Sequence, residues 1–254
     1  MRYVVPQRNA HTGGALEMLT PVRLRRLLSA ACLVFAPTLL VAAFALAPFG
    51  SDDTSSEIVG IVKHNQTAYT IVPVLIAVAV LLLIPALIAV IRLAATRAPY
   101  LAYIGGGLAI AGYVSLLPTM MVEQTAMAMG RAGVPDSTAA SVLDRLSDGS
   151  LVLGILMGIF VAGHILGTTV LGIALIRARV VALWAGAAVA VSQPLHFVAH
   201  IIEVKALDVV AFGLLAVGLF AVAAVVLKIP DLAWDSDPVA TSTNLTSGAP
   251  AGTT

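Results

Sequence analysis

Charge is scarce in this chain. Only 11% of its 254 residues are Asp, Glu, Lys or Arg, against about 25% in an ordinary soluble domain. With 59% apolar residues and a mean hydropathy of +1.01, the composition excludes a soluble globular protein and points to lipid as the solvent. The formal net charge of +1 argues against nucleic acid and against an acidic partner. Cysteine is nearly absent as well. The single Cys32 excludes an internal disulfide framework. It follows Leu28-Ser29-Ala30-Ala31 in a superficial likeness to a lipoprotein cleavage box, but the apolar run comes after it rather than before. Cys32 is therefore expected to be a small buried residue. No catalytic motif is present. Gly105-Gly106-Gly107 has no preceding strand and lies in an apolar stretch, which excludes a phosphate loop.

Long apolar runs take the place of charge. A helix needs about 20 apolar residues to cross the hydrocarbon core, and six stretches meet that length: 27–49, 70–91, 99–121, 151–176, 180–202 and 207–228. The first follows the basic Arg23-Leu24-Arg25-Arg26. Its apolar stretch is too long for a signal-peptide core, and Pro48 after Ala45-Leu46-Ala47 disfavours cleavage, so it is read as a retained helix. The fold class expected is all-α: a polytopic bundle of six spans with both termini on the cytoplasmic side. Orientation follows from the cations. In that arrangement ten basic residues lie inside (Arg2, Arg8, Arg23, Arg25, Arg26, Arg92, Arg97, Arg177, Arg179 and Lys228), and only Lys63, Arg131, Arg145 and Lys205 lie outside. Tyr100, Trp184 and Trp234 then fall at the inner interface and Tyr69 at the outer one.

Three segments result: a disordered basic N-terminus over 1–26, the six-span domain over 27–228 and a disordered tail over 229–254, rich in Ser, Thr, Gly, Pro and Ala. Two outer connections are long. Ser51-Asp52-Asp53-Thr54-Ser55-Ser56-Glu57 is a helix-start signal. Pro135-Asp136-Ser137 begins a second short helix, carried by Val142, Leu143 and Leu146 and stopped at Gly149. The third span is expected to continue past Glu123 through Met127 and Met129 towards Gly130.

One run of polar groups interrupts the apolar pattern. Ser192, Gln193, His196, His200 and Glu203 fall within an arc of roughly 100° on a helix. Ionisable groups inside a bilayer are costly, face the bundle interior and mark functional sites by default. Span four adds His164 and Thr168 on one face, and an antiparallel span five would bring His164 close to Gln193 or His196. Small residues four apart, Gly154/Gly158 and Gly163/Gly167, suit close helix packing. His200 and Glu203 are expected at the outer rim with Glu123 and His64. The pocket so defined comprises His164, Gln193, His196, His200, Glu203 and Glu123.

Four chemistries fit this pocket. The polar groups can form a structural or gating network, with Ser192 or Gln193 satisfying the carbonyl that Pro194 frees at Ala190. They can line a proton or solute path, helped by the prolines at 37, 73, 85, 118 and 194. His196 and His200 have metal-ligand spacing, with Glu203 or Glu123 as a third ligand and His164 as a deeper fourth, for a divalent metal such as zinc. His164 and a span-five histidine could instead grip a haem iron. The leading expectation is a non-enzymatic plasma-membrane protein, a small transporter or a regulatory partner, without a cofactor. Its partners are the lipid bilayer and, left open, a second copy of the chain or another membrane protein.

The basic N-terminus before an Ala/Val/Leu-rich first span, the Pro99-Tyr100-Leu101-Ala102-Tyr103-Ile104-Gly105-Gly106-Gly107 of span three and the acidic outer loop resemble uncharacterised six-pass membrane proteins of actinobacteria. That resemblance implies no activity. His196-x3-His200 on a membrane helix is also similar to the ceramidase-and-receptor superfamily of intramembrane zinc hydrolases, where a further histidine, an aspartate and a serine from other helices complete the site. The resemblance implies metal-ligand roles for His196, His200 and His164. The sequence reading assigns no intramembrane aspartate to the chain.

Overall fold

A computed structural model describes residues 20–48 and 54–235. They form ten helices: α1 (Pro21–Leu46), α2 (Ser55–His64), α3 (Gln66–Ala95), α4 (Pro99–Thr119), α5 (Met121–Arg131), α6 (Asp136–Gly149), α7 (Leu151–Ala178), α8 (Leu183–Ile201), α9 (Lys205–Lys228) and α10 (Asp231–Asp235). No strand occurs among the described residues. Five helical segments are long and apolar enough to cross a membrane: α1, α3, α4 continued through α5, α7 and α9. The stretch expected as span five, 180–202, forms helix α8, which is not among those five. Its 19 residues carry Ser192, Gln193, His196 and His200, and that polar content sets it apart.

Local chemistry explains the boundaries. Thr20 caps α1 by accepting from the Arg23 amide (3.2 Å), with Pro21 at the first helical position. The helix therefore starts six residues before the expected boundary at 27. Ser150 caps α7 in the same way (3.2 Å to Leu153 N). Thr54 and Glu57 form a reciprocal capping box at α2, and the hydrogen bonds from Thr54 hold the Glu57 carboxyl below its ordinary range. The helices expected at the two long connections are α2 and α6, and the extension past Glu123 is α5. The expectations for residues 1–19, 49–53 and 236–254 lie outside the described residues.

The long helices close a ring. α1 packs on α3 and α9, α8 lies between α7 and α9, and α4 packs on both α7 and α3. The main apolar core runs through this ring, from Leu33, Leu40 and Leu83 to Leu171, Leu215 and Leu219. A separate small core of Val59, Val62, Ala126, Met127, Ala139 and Leu143 joins α2, α5 and α6 into a cap, where Lys63 also pairs with Asp136. At the opposite end Arg26 bonds the Ile229 carbonyl and pairs with Asp231, Arg92 lies 5.0 Å from the Trp234 ring, and Arg97 donates to Ala178 O (3.5 Å). The tail expected to be disordered from 229 thus begins as a docked turn of helix. Trp234, only 6% exposed, joins the apolar core, a contact the polar composition of the tail concealed.

The closest helix pair is α4 with α7. A Cβ on Gly163 would lie 2.7 Å from Leu108 O, and one on Gly105 would lie 2.7 Å from Leu171 N. Only glycine permits two backbones to approach so nearly. The expectation for Gly163 and Gly167 therefore holds. Gly154 and Gly158, by contrast, face nothing within 4 Å. Cys32 is buried and free, as its context implies.

Candidate functional site

Three helices meet at the end of the bundle away from the Arg-rich end. There Lys205 Nζ donates to Ala47 O (2.7 Å), tying the start of α9 to the end of α1. α8 stops at Ile201, and residues 202–204 reverse the chain, with Glu203 in the left-handed region (φ 54°). So tight a turn sets the last turns of α8 beside the first turn of α9. Asp208 sits in that first turn, where the positive end of the helix dipole favours a carboxylate.

Asp208 is completely buried. Its Oδ1 is hydrogen-bonded to His196 Nδ1, and its Oδ2 lies 3.9 Å from His200 Nε2. One donor atom from each of His196, His200 and Asp208 lies within 4.8 Å of the others. Two imidazole nitrogens and a carboxylate oxygen are donor types that zinc takes. Aromatic rings wall the group. His196 contacts Phe44 of α1 (ring centroids 5.4 Å apart), Phe212 of α9 (4.8 Å) and His200 (4.6 Å). The His200 side chain remains 35% exposed, so the group has one accessible edge.

His164 of α7 lies next to this centre, its ring centroid 5.6 Å from that of His196, as the antiparallel arrangement predicts. Its Nδ1 bonds the Phe160 carbonyl, which leaves Nε2 as the free acceptor. Gln193 is fully buried on the same face of α8, with Nε2 3.5 Å from Ser192 Oγ. Of the expected pocket residues, the structure sets His164, His196 and His200 side by side, with Gln193 on the same face of α8. Neither Glu203 nor Glu123 is in the group of donor atoms formed by His196, His200 and Asp208. Glu203 is exposed in the α8–α9 turn, beyond the end of the helix whose register would have aligned it with the histidines. Glu123 belongs to α5 on the cap side. Asp208, in the first turn of the candidate span α9, stands beside the two histidines where Glu203 was expected. His64 is also apart, exposed on α2 and bonded to Gly60 O (2.8 Å).

The carbonyl freed by Pro194 is satisfied from another helix. Ala190 O accepts from Thr169 Oγ1 of α7 (3.1 Å), while Ser192 Oγ bonds Val189 O (2.8 Å). Neither Ser192 nor Gln193 performs the expected task. Thr169→Val is expected to cost about 1 kcal/mol, read as a fall of about 2–4 °C in the thermal midpoint. An unchanged midpoint would mean that this interhelical bond contributes nothing.

No family model, curated protein or solved structure matches this chain.

Proposed function

We propose that this protein is a multi-pass plasma-membrane protein whose working part is a divalent-metal centre formed by His196, His200 and Asp208. The observation carrying this reading is the convergence of two imidazoles and a fully buried carboxylate within 4.8 Å. Burying a carboxylate is costly unless it is paired or bound to a cation, and hard oxygen with two imidazoles suits zinc. Three protein ligands and one open edge are the ligand set of a catalytic rather than a closed structural site. A cation so held lowers the pKa of bound water or polarises a carbonyl.

The topology that accompanies this reading has six spans, counting α8, which packs between α7 and α9, as the fifth in chain order. Both termini are cytoplasmic. Arg23, Arg25, Arg26, Arg92, Arg97, Arg177, Arg179 and Lys228 occupy the helix ends opposite the centre, which supports an outward-facing site.

Purified full-length protein is expected to hold about one zinc per chain, lost in both His196→Ala and His200→Ala. Elemental analysis beside a monodispersity check decides it, and a wild-type protein free of metal after zinc exposure would overturn the reading. The runner-up is a non-enzymatic transporter or regulatory partner with a metal-free network. The direct bond between His196 and Asp208, which already pairs the buried charge, favours it.

A further inference from the structure

Beyond the three candidate ligands, a second set of buried polar atoms runs inward from the centre. His164 Nε2, Thr168 Oγ1, Tyr113 OH and Gln193 Oε1 are all buried without a hydrogen-bond partner, as is Asp208 Oδ2. The residues carrying the first four are 3%, 1%, 3% and 0% exposed. His164 stands between two of its neighbours: the Tyr113 ring centroid lies 6.0 Å from that of His164, and His164 lies 5.6 Å from His196. Thr168 is one turn from His164 on α7, and Gln193 is one turn from His196 on α8.

Each buried polar group left unmade costs about 1–3 kcal/mol, and native proteins rarely tolerate several together. The balance of donors and acceptors says what is needed. His164 Nε2, Gln193 Oε1 and Asp208 Oδ2 are three acceptors, whereas Thr168 and Tyr113 can donate one hydrogen each. A molecule with two donors and two acceptors, small enough to sit among side chains, corrects that imbalance. Water is that molecule.

We propose that ordered water occupies a blind polar branch between α4, α7 and α8, running from the His196–Asp208 pair past His164 to Thr168 and Tyr113. Its open end is the exposed edge at His200. Its closed end is the backbone contact of α4 with α7 at Gly105 and Gly167. On the reading of a metal centre, on which this role rests, the branch would keep water beside a cation held by His196, His200 and Asp208. Water would then be a reactant there, as in a hydrolysis. Hydration of the branch itself does not depend on the metal.

The test is radiolytic hydroxyl-radical footprinting of the full-length protein, which modifies side chains lying beside bound water. Corrected for intrinsic reactivity, Tyr113 and His164 are expected to be modified at least about tenfold faster than Leu33 and Leu83, which are equally buried in the apolar core. Rates as slow as those leucines would overturn the proposal. As a second readout, Tyr113→Phe is expected to lower the thermal midpoint by about 2–4 °C through loss of a bond to water. A raised midpoint would mean a dry, unpaired hydroxyl and would also overturn it. Fast modification of Tyr113 and His164 in a protein that takes up no zinc leaves the hydrated branch standing and removes the metal reading. Zinc uptake with slow modification does the reverse.

Discussion

Asp208→Asn is expected to weaken zinc binding by at least about a hundredfold, about 3 kcal/mol, while Glu203→Gln leaves the affinity within a few-fold. Titration calorimetry on the purified protein reads both. The argument turns on burial. Asp208 is completely buried between two imidazoles, where its negative charge would compensate a divalent cation. Asparagine preserves the shape and one acceptor oxygen but removes that charge. Glu203 is exposed in the turn two residues past the end of α8, and the influence of an exposed charge is screened by solvent. Full zinc affinity in Asp208→Asn would sink the assignment, and so would a loss of affinity in Glu203→Gln comparable to that expected for Asp208. Asp208→Ala goes further, because it leaves His196 Nδ1 without its acceptor. Breaking a buried pair in that way costs about 3–5 kcal/mol, so lowered thermal stability is expected even without metal.

Gly163→Leu is expected to be the most damaging substitution outside the site, costing about 3 kcal/mol, the upper end of the usual overpacking penalty. A Cβ at Gly163 would meet Leu108 O at 2.7 Å and Gly112 Cα at 2.8 Å. Both are backbone atoms of α4 and cannot rotate away as a flexible side chain would. The two helices must separate, and Tyr113 and His164, each adjacent in sequence to a glycine of this contact, would separate with them. Gly158→Ala is the matched control, since nothing lies within 4 Å of a Cβ there. It should change stability by no more than about 1 kcal/mol, in the direction of the better helix former. Thermal unfolding of the two variants beside the wild type decides the point. Equal midpoints for Gly163→Leu and wild type would mean that α4 and α7 do not touch as described.

What the sequence reveals, and what it hides, follows from how far apart the interacting residues lie. The long helices were legible because an apolar stretch of membrane-crossing length has few other uses, and α2 and α6 because Thr54 and Asp136 begin them locally. The approach of His164 to His196 was legible too, since a connection of a few residues forces α7 and α8 to run antiparallel. Asp208 was missed at the very edge of its span, where an acidic residue reads as an interfacial charge. The signal that could have found it is the brevity of residues 202–204, which sets the first turn of one helix beside the last turn of its predecessor. Continuing the 100° periodicity of α8 to Glu203 failed because the helix ends at Ile201. Thr169, which satisfies Ala190 O, was hidden for a different reason. A threonine on an apolar helix has many equivalent uses, and only the register of two packed helices selects one. The docking of Trp234 was hidden by composition, because a single aromatic in a polar tail reports nothing about the groove that receives it.

The turn at Glu203 also bears on the order of folding. His196 and Asp208 are 12 residues apart in the chain, so the three candidate ligands belong to one helical hairpin and need no distant element to bring them together. Contacts of such short sequence separation form early and fast. Tyr113 and His164 come from helices farther away in the chain and can arrive only when the bundle closes. The hairpin would therefore be able to capture a cation during insertion, with the inner polar residues closing over it afterwards.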